Sequence, residues 1–459
     1  MRTITRLCAF LLALASVVLL NATETRPNFI MVFIDDMGWG DFSCFGNTVV
    51  KTENIDRLAA EGLRFTQFYV NSPICSPSRT ALTTGQYPQR WHIHSFLNNR
   101  QANVNRGMAQ WLDLKAPTLA RHLKEVGYAT GHFGKWHLGG QRDVGEAPLI
   151  TEYGFDESLS NFEGLGPRLL PLCNAHDGEP PRKHALGSDN LGRGPIIWMD
   201  RSKITEGFVG ATIEFIRKAA ADNKPFYINV WPDDVHSPFF PPADRLGGRT
   251  KRDLYYGVLK TMDEQLGPLF DYVRSDPGLR ENTLILACSD NGPEPGAGSA
   301  GPFRGAKTML YEGGVRSSLI AWAPRLMAAS AVGGQNTNSV FSAMDLVPSM
   351  LALAGVKCHS GLFDGENVSD VLLGKNQGSR RAPLFWRRPP DRPGGPRENL
   401  PDLAVREGDW KLLCEYDGSA PQLYDLGKDP AETTNLADKS PDLVKRLSEA
   451  VRNWYQSAP

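Results

Sequence analysis

The sequence predicts an α/β fold, with a mostly parallel central sheet covered by helices on both faces and a smaller C-terminal α+β domain carrying a short antiparallel sheet. Two observations predict it. Short apolar runs alternate with segments of helical period, and strands separated by helices pair in parallel beneath a cover on each face. Beyond Leu373 that rhythm stops. A Pro/Gly/Arg-rich stretch at 380–396 then gives way to closely spaced short strands and one last helix.

Taken in order, the run at 29–34 is a buried strand. Residues 54–65 form a helix, with Asn54 as its cap and Ile55, Leu58 and Leu63 inward. Pro77 opens a helix that Gly85 ends, which sets Cys75 just ahead of the N-terminus and Arg79 in the first turn. Residues 117–126 make another helix, stopped by Gly127. A strand at 226–231 precedes a long helix at 253–273, whose Leu254, Val258, Met262, Leu266 and Leu269 share one stripe. Strands at 283–288 and 318–322 follow. In the tail, strands at 403–405, 410–414 and 422–424 form a meander, closed by an amphipathic helix at 441–455.

The chain has 459 residues, with 50 Lys+Arg against 51 Asp+Glu. At 41% hydrophobic it can bury a large core, and without a basic surplus it is not built to neutralise nucleic-acid phosphates. Arg2 and Arg6 precede an apolar run at 7–20, and Asn21-Ala22-Thr23 follows. That is the pattern of a signal peptide over 1–22, in a run short of the ~20 residues a membrane span needs. Its removal leaves 48 cations against 51 acids, a charge of −3. The expectation is an exported protein, periplasmic or secreted, with a main α/β domain over 23–373 and the smaller domain over 374–459. Cys44, Cys75, Cys173, Cys288, Cys358 and Cys414 remain, and with one kept for chemistry they form at most two intrachain bridges. The sparse sequons, at Asn21 and Asn367, fit a bacterial envelope.

Chemistry gathers where apolar runs end, which in open α/β sheets is where ligands bind. Asp35 and Asp36 end the first run; Asp233, Asp234 and His236 follow the strand at 226–231; Asp290 and Asn291 follow the one at 283–288. Adjacent carboxylates repel unless a cation neutralises them. Asp35, Asp36, Asp290 and Asn291 offer only oxygen, which suits calcium rather than zinc. Any one of these pairs, taken singly, is also an ordinary cap or turn. Cys75 lies where a helix dipole favours anions, although a lone Cys there is also an ordinary buried residue.

Cys75-Ser76-Pro77-Ser78-Arg79 followed by Gly85 resembles the signature of the type I, formylglycine-dependent sulfatases of the alkaline phosphatase superfamily. The resemblance extends to Asp35-Asp36-Met37-Gly38-Trp39-Gly40-Asp41, to Gly134-Lys135-Trp136-His137-Leu138-Gly139, to Asp290-Asn291-Gly292, to Gly305-Ala306-Lys307 and to Leu423-Tyr424-Asp425-Leu426. Ser43 departs from the glycine that many relatives have, at a turn rather than a ligand. By this resemblance Cys75 is oxidised by a formylglycine-generating maturation enzyme. Asp35, Asp36, Asp290 and Asn291 hold one calcium ion together with the group made from Cys75. Arg79 and Lys135 hold the hydrated aldehyde. Lys307 and His236 contact sulfate, either one a candidate proton donor to the leaving oxygen. His137 is the base that lets sulfate leave. The substrate implied is a sulfated carbohydrate of galactosamine- or galactose-sulfate type, cut from a chain end.

Two other functions fit parts of the sequence. One is a phosphate or phosphonate ester hydrolase of the same superfamily, which comparing rates on matched esters would reveal. The other is a catalytically silent glycan-binding relative in which Cys75 stays a thiol. His92 and His94 either line the pocket or sit on the surface. Asp233 and Asp234 are loop caps or sugar contacts, and Trp39, Trp91 and Trp136 stack on a sugar or fill the core.

Overall fold

The computed structural model describes residues 26–174, 176, 179–389 and 400–457. The expected signal peptide at 1–22 and the stretch 390–396 lie outside the described residues. Among the described residues sixteen strands are formed. They are β1 (Asn28–Ile34), β2 (Leu63–Tyr69), β3 (Ala129–Gly134), β4 (Glu157–Leu159), β5 (Arg168–Cys173), β6 (Arg182–Lys183), β7 (Ile196–Asp200), β8 (Phe226–Trp231), β9 (Thr283–Ser289), β10 (Arg316–Trp322), β11 (Gly334–Asn336), β12 (Phe341–Ser342), β13 (Leu384–Arg387), β14 (Leu403–Glu407), β15 (Trp410–Cys414) and β16 (Gln422–Asp425). The longer helices are α1 (Glu53–Glu61), α2 (Cys75–Thr84), α3 (Leu119–Glu125), α4 (Ile204–Ala221), α5 (Lys251–Ser275), α6 (Ala343–Leu353) and α7 (Pro441–Ser457).

A nine-stranded sheet runs β11-β2-β10-β9-β1-β8-β3-β4, with β12 beside β2. All pairings are parallel except those of β10, which runs against both β2 and β9. Strand β1 shows why the sheet is covered twice. Phe29, Met31 and Phe33 enter one core with Leu119 and Leu123 of α3 and Leu346 and Val347 of α6. Ile30, Val32 and Ile34 enter a second core with Leu58 of α1, Phe208 of α4 and Val258 and Met262 of α5. Side chains alternate across a strand, so a strand apolar at every position requires a layer on each face.

Helix 54–65 of the sequence reading ends earlier. Gly62 closes α1, and Leu63 and Phe65 open β2 with their side chains buried. A Cβ at Gly62 would meet the Ala321 carbonyl oxygen at 2.4 Å, so the bend fits tightly against β10. Asn54 is not the cap. Asp263 of α5 accepts the backbone N–H groups of Asn54 and Ile55 at 3.2 and 2.9 Å. Helix 117–126 begins at Leu119, where Thr118 accepts from the Arg121 N–H at the N-cap, and Val126 forms its C-cap.

The C-terminal antiparallel sheet has order β13-β14-β15-β16, one strand more than the sequence indicated. Helix α7 covers one face through Leu447 and Val451. The other face packs Trp386, Ala404, Leu413 and Tyr424 against Tyr69, Leu310 and Tyr311. A buried polar cluster crosses this seam. Lys411 reaches Glu312 and Glu432 at 2.9 and 3.0 Å, and Tyr69 donates to Glu312 at 2.6 Å. A three-stranded sheet, β6-β5-β7, arises between β4 and α4, where the sequence reading assigns no element. No two cysteines are bonded among the described residues.

Candidate active site

Strands β1, β8 and β9 end side by side, and their polar C-terminal residues converge. One oxygen each from Asp35, Asp36 and Asp290 lies within 4.8 Å of the others. Helix α2 faces this cluster. It starts at Cys75 itself, with Ile74 as N-cap, so Cys75 lies in the first turn rather than ahead of it and Arg79 one turn later. Arg79 is fully buried. Its Nε and Nη2 donate to Asp290 Oδ2 at 3.1 and 2.8 Å, its Nη2 to Asp35 Oδ1 at 3.1 Å, and its Nη1 to the Lys135 carbonyl at 3.0 Å. The Phe33 and Trp231 rings flank the guanidinium at 5.7 and 5.2 Å.

Lys135 follows β3. Gly134, at φ 127°, makes the turn, and a Cβ there would stand 2.2 Å from the Trp231 carbonyl oxygen. Lys135 Nζ then reaches Asp35 Oδ2 at 2.5 Å. Lys307 pairs with Asp36, and His236 Nε2 lies 3.6 Å from the same carboxylate. Asn291 donates from Nδ2 to Asp36 Oδ1 at 2.8 Å, while its buried Oδ1 has no hydrogen-bond partner. Three carboxylates thus face Arg79, Lys135 and Lys307.

Burial pushes the Asp35 carboxyl up, yet Lys135, His236 and Arg79 together hold it well below the usual carboxylate range. Against burial, Lys307 and His236 hold the Asp36 carboxyl below its ordinary value. Asp290 goes the other way, pushed well up by burial and by the charge on Asp35. A cation among these oxygens would stabilise the ionised forms, and an unpartnered amide oxygen beside three carboxylates suits a hard divalent ion. Desolvation, Lys307 and Lys135 push the His236 imidazole down to about 4. Burial also lowers His137, with Glu163 opposing.

Above the cluster opens a cavity of about 470 Å³, with Cys75, His137, His236 and Lys307 in its wall. Phe96, Phe162 and Arg142 line it too. The sequence-predicted residues Asp35, Asp36, Cys75, Arg79, Lys135, His137, His236, Asp290, Asn291 and Lys307 are therefore gathered in one region. Of these, Cys75, His137, His236 and Lys307 line the cavity; the candidates outside this group neither line it nor join the carboxylate cluster. His92 is exposed, and His94 bonds the Arg106 carbonyl at 3.0 Å. Asp233 pairs with Arg201 at 2.7 Å, and Asp234 accepts from Thr205. Trp136 packs on Tyr153 and Trp231, and Trp39 on Phe45 and Phe303. Trp91 packs against the first core.

The profile of the family described as Sulfatase matches residues 27–356. The chain belongs to the sulfatase family. A second profile, described as N-sulphoglucosamine sulphohydrolase, C-terminal, matches residues 302–456. The sulfatase is 32% identical to human arylsulfatase A, over 96% of its own chain and 89% of that protein. It is 29% identical to an N-acetylgalactosamine-6-O-sulfatase of Bacteroides thetaiotaomicron, over 93% of both. A solved sulfatase of Pseudoalteromonas sp. superposes with a TM-score of 0.72 at 26% identity, covering 95% of this chain and 91% of that one. The protein is thus a sulfuric ester hydrolase.

Several residues of this sulfatase's cavity escaped the sequence reading, among them Arg142, Glu163 and Thr308. Glu163 is buried beside His137, with Oε2 at 2.7 Å from Nε2. The only sequence signal near it is a pair of following glycines, Gly164 and Gly166.

Proposed function

We propose that this sulfatase hydrolyses sulfate esters of carbohydrates at a site centred on formylglycine made from Cys75 and on one calcium ion. The observation that carries this reading is the meeting of Cys75, three buried cations and an all-oxygen donor cluster at the foot of one cavity. Relatives named N-acetylgalactosamine-6-sulfatase support a galactosamine- or galactose-type sulfate, including the human protein at 32% identity over 79% of this chain. The modest cavity volume favours a chain end over a long strand.

Formylglycine, once hydrated, supplies a nucleophilic hydroxyl and a second hydroxyl whose deprotonation ends the cycle. Calcium held by Asp35, Asp36, Asp290, Asn291 and the group at position 75 would supply fixed positive charge. Arg79 and Lys135 orient that group. Lys307 and His236 bind sulfate oxygens as the S–O bond to the sugar breaks, and one of them gives its proton to the departing alcohol oxygen. His137 would accept a proton from the group at position 75 in the step that releases sulfate. The signal-like segment at 1–22 supports export of the protein. Among the described residues no helix is long and apolar enough to cross a membrane.

The test is sulfate release by protein co-produced with a formylglycine-generating enzyme. A phenyl sulfate, a matched phenyl phosphate and a panel of sulfated mono- and disaccharides are the substrates. Turnover of sulfated sugars above phosphate esters is expected. No sulfate release, with Cys75 shown by peptide mass to be converted, overturns the reading.

A further inference from the structure

His137 and Glu163 are brought together by backbone, not by chance. The Phe162 carbonyl accepts the N–H groups of Trp136 and His137 at 3.0 and 3.4 Å, which ties the loop before β5 to the segment after β3. The Phe162 ring stands edge-on to the imidazole at 5.6 Å. Both partners are almost wholly buried, and both take left-handed backbone conformations that non-glycine residues seldom adopt, φ 57° at His137 and φ 52° at Glu163.

The two ring nitrogens of His137 are unlike. Nε2 faces Glu163 Oε2 at 2.7 Å and the Leu97 carbonyl at 3.3 Å. A carbonyl can only accept, and a carboxylate accepts, so the proton of the neutral ring belongs on Nε2. Nδ1 is buried and has no hydrogen-bond partner, in a residue of the cavity wall. We propose that Glu163 is a positioning residue that fixes His137 as the Nε2–H tautomer and leaves Nδ1 as the atom that takes the proton in the release step. This rests on the proposed role of His137 as base. The carboxylate also stabilises the imidazolium formed when Nδ1 is protonated, as the buried acid of a Ser-His-Asp triad does.

The experiment is nitrogen-15 NMR of histidine-labelled protein, before and after conversion of Cys75. The signal lost in His137→Asn identifies His137 among the nine histidines of the chain. The expected result is a protonated Nε2 and a bare Nδ1. A proton on Nδ1 in the wild type overturns the proposal without any variant. Glu163→Gln offers Nε2 an amide N–H as well as an oxygen, so the Nδ1–H tautomer should grow and kcat fall about 10–100-fold. With release slowed, KM should fall alongside kcat, and alcohol should outrun sulfate in the first turnover. Glu163→Asp keeps the charge and should retain the tautomer and more of kcat than Glu163→Gln. Wild-type tautomer and kcat in Glu163→Gln, or a better kcat than in Glu163→Asp, overturns the proposal. His137→Ala separates the two ideas. Undiminished turnover there removes the base assignment and leaves the tautomer result standing.

Discussion

Replacing Asp290 by Ala tests the metal assignment and the buried network together. The substitution deletes two bonds from Arg79, at 3.1 and 2.8 Å, and the acceptor of the Asp36 N–H at 3.1 Å. Every one of these groups is wholly buried. Breaking one partner of a buried ion pair costs about 3–5 kcal/mol. Two facts favour the lower end. Arg79 keeps Asp35 at 3.1 Å and the Lys135 carbonyl at 3.0 Å. Burial and the neighbouring Asp35 also push Asp290 towards its neutral form when no cation is bound. A loss of about 3 kcal/mol lowers the melting temperature by about 6 °C, at about 2 °C per kcal/mol for a large domain. Calcium at 100 times its Kd then adds about 2.7 kcal/mol to the wild type and little to the variant. Thermal melts of both proteins in chelator and across a calcium series measure the two quantities separately. An equal calcium increment in Asp290→Ala refutes the ligand assignment. A loss below about 1 kcal/mol in chelator refutes the network argument.

Three further outcomes are expected. Cys75→Ala should abolish sulfate release yet cost no more than about 1 kcal/mol, because its side chain ends in the cavity wall and its part is chemical; calorimetry beside the sulfate assay checks both. Against burial, Lys411, Arg316 and Arg406 hold the Glu312 carboxyl at about 2, below its ordinary 4.5. Its contribution to stability is thus full above about pH 4.5 and is lost as pH falls towards 2. Lys411→Met removes that cation from Glu312 and Glu432 and should cost about 3–5 kcal/mol near pH 7. Burial already pushes the Glu432 carboxyl up to about 7 against Lys411, and without that cation it binds its proton more tightly on folding, while Arg316 and Arg406 still face Glu312. The gap between urea melts of variant and wild type should therefore narrow as pH falls to about 5; a constant gap would show that Lys411 does not set the Glu432 charge. Gly134→Ala forces a Cβ onto the Trp231 carbonyl oxygen at a positive φ of 127°. It should cost above about 2 kcal/mol and displace Lys135, read as lower stability and lower kcat together.

Where local signals agreed, the sequence reading matched the structure to the residue, as at Phe226–Trp231 and Trp410–Cys414. It overran where one set of residues satisfied two periods. Leu63 continues the helical stripe of Ile55 and Leu58, but Leu63, Phe65 and the residues after them also read as strand, and pairing with β10 decides for the strand. Strand β5 was hidden by Pro171, which contributes its carbonyl to His184 at 3.0 Å and needs no N–H. The direction of β10 was legible in principle. Residues 290–315 link β9 to β10 with only a four-residue helix at their end, and without a long crossover helix the neighbouring strands pair antiparallel. That link is also the segment that carries Asn291 and Lys307.

The site divides along the same line. Residues set by a strand end or by the first turns of α2 could be read from the sequence, because a regular element fixes where each side chain leaves the backbone. Of those held by irregular backbone, Asp36 could be reached through its strand end and His137 through the motif resemblance, whereas Arg142, Glu163 and Thr308 could not. Asp36, His137, Arg142, Glu163 and Thr308 all have φ between 52° and 74°, and four of them line the cavity. Each such conformation costs of order 1–3 kcal/mol and persists only where its surroundings over-determine it. For His137 and Glu163 the surroundings are two hydrogen bonds to one carbonyl, that of Phe162, made by residues 25 and 26 positions earlier in the chain. No window of sequence around Glu163 contains Trp136 or His137. The motif residues are the part of this site that local rules can place; the carboxylate that imposes the proton position of His137 exists only once the sheet has assembled.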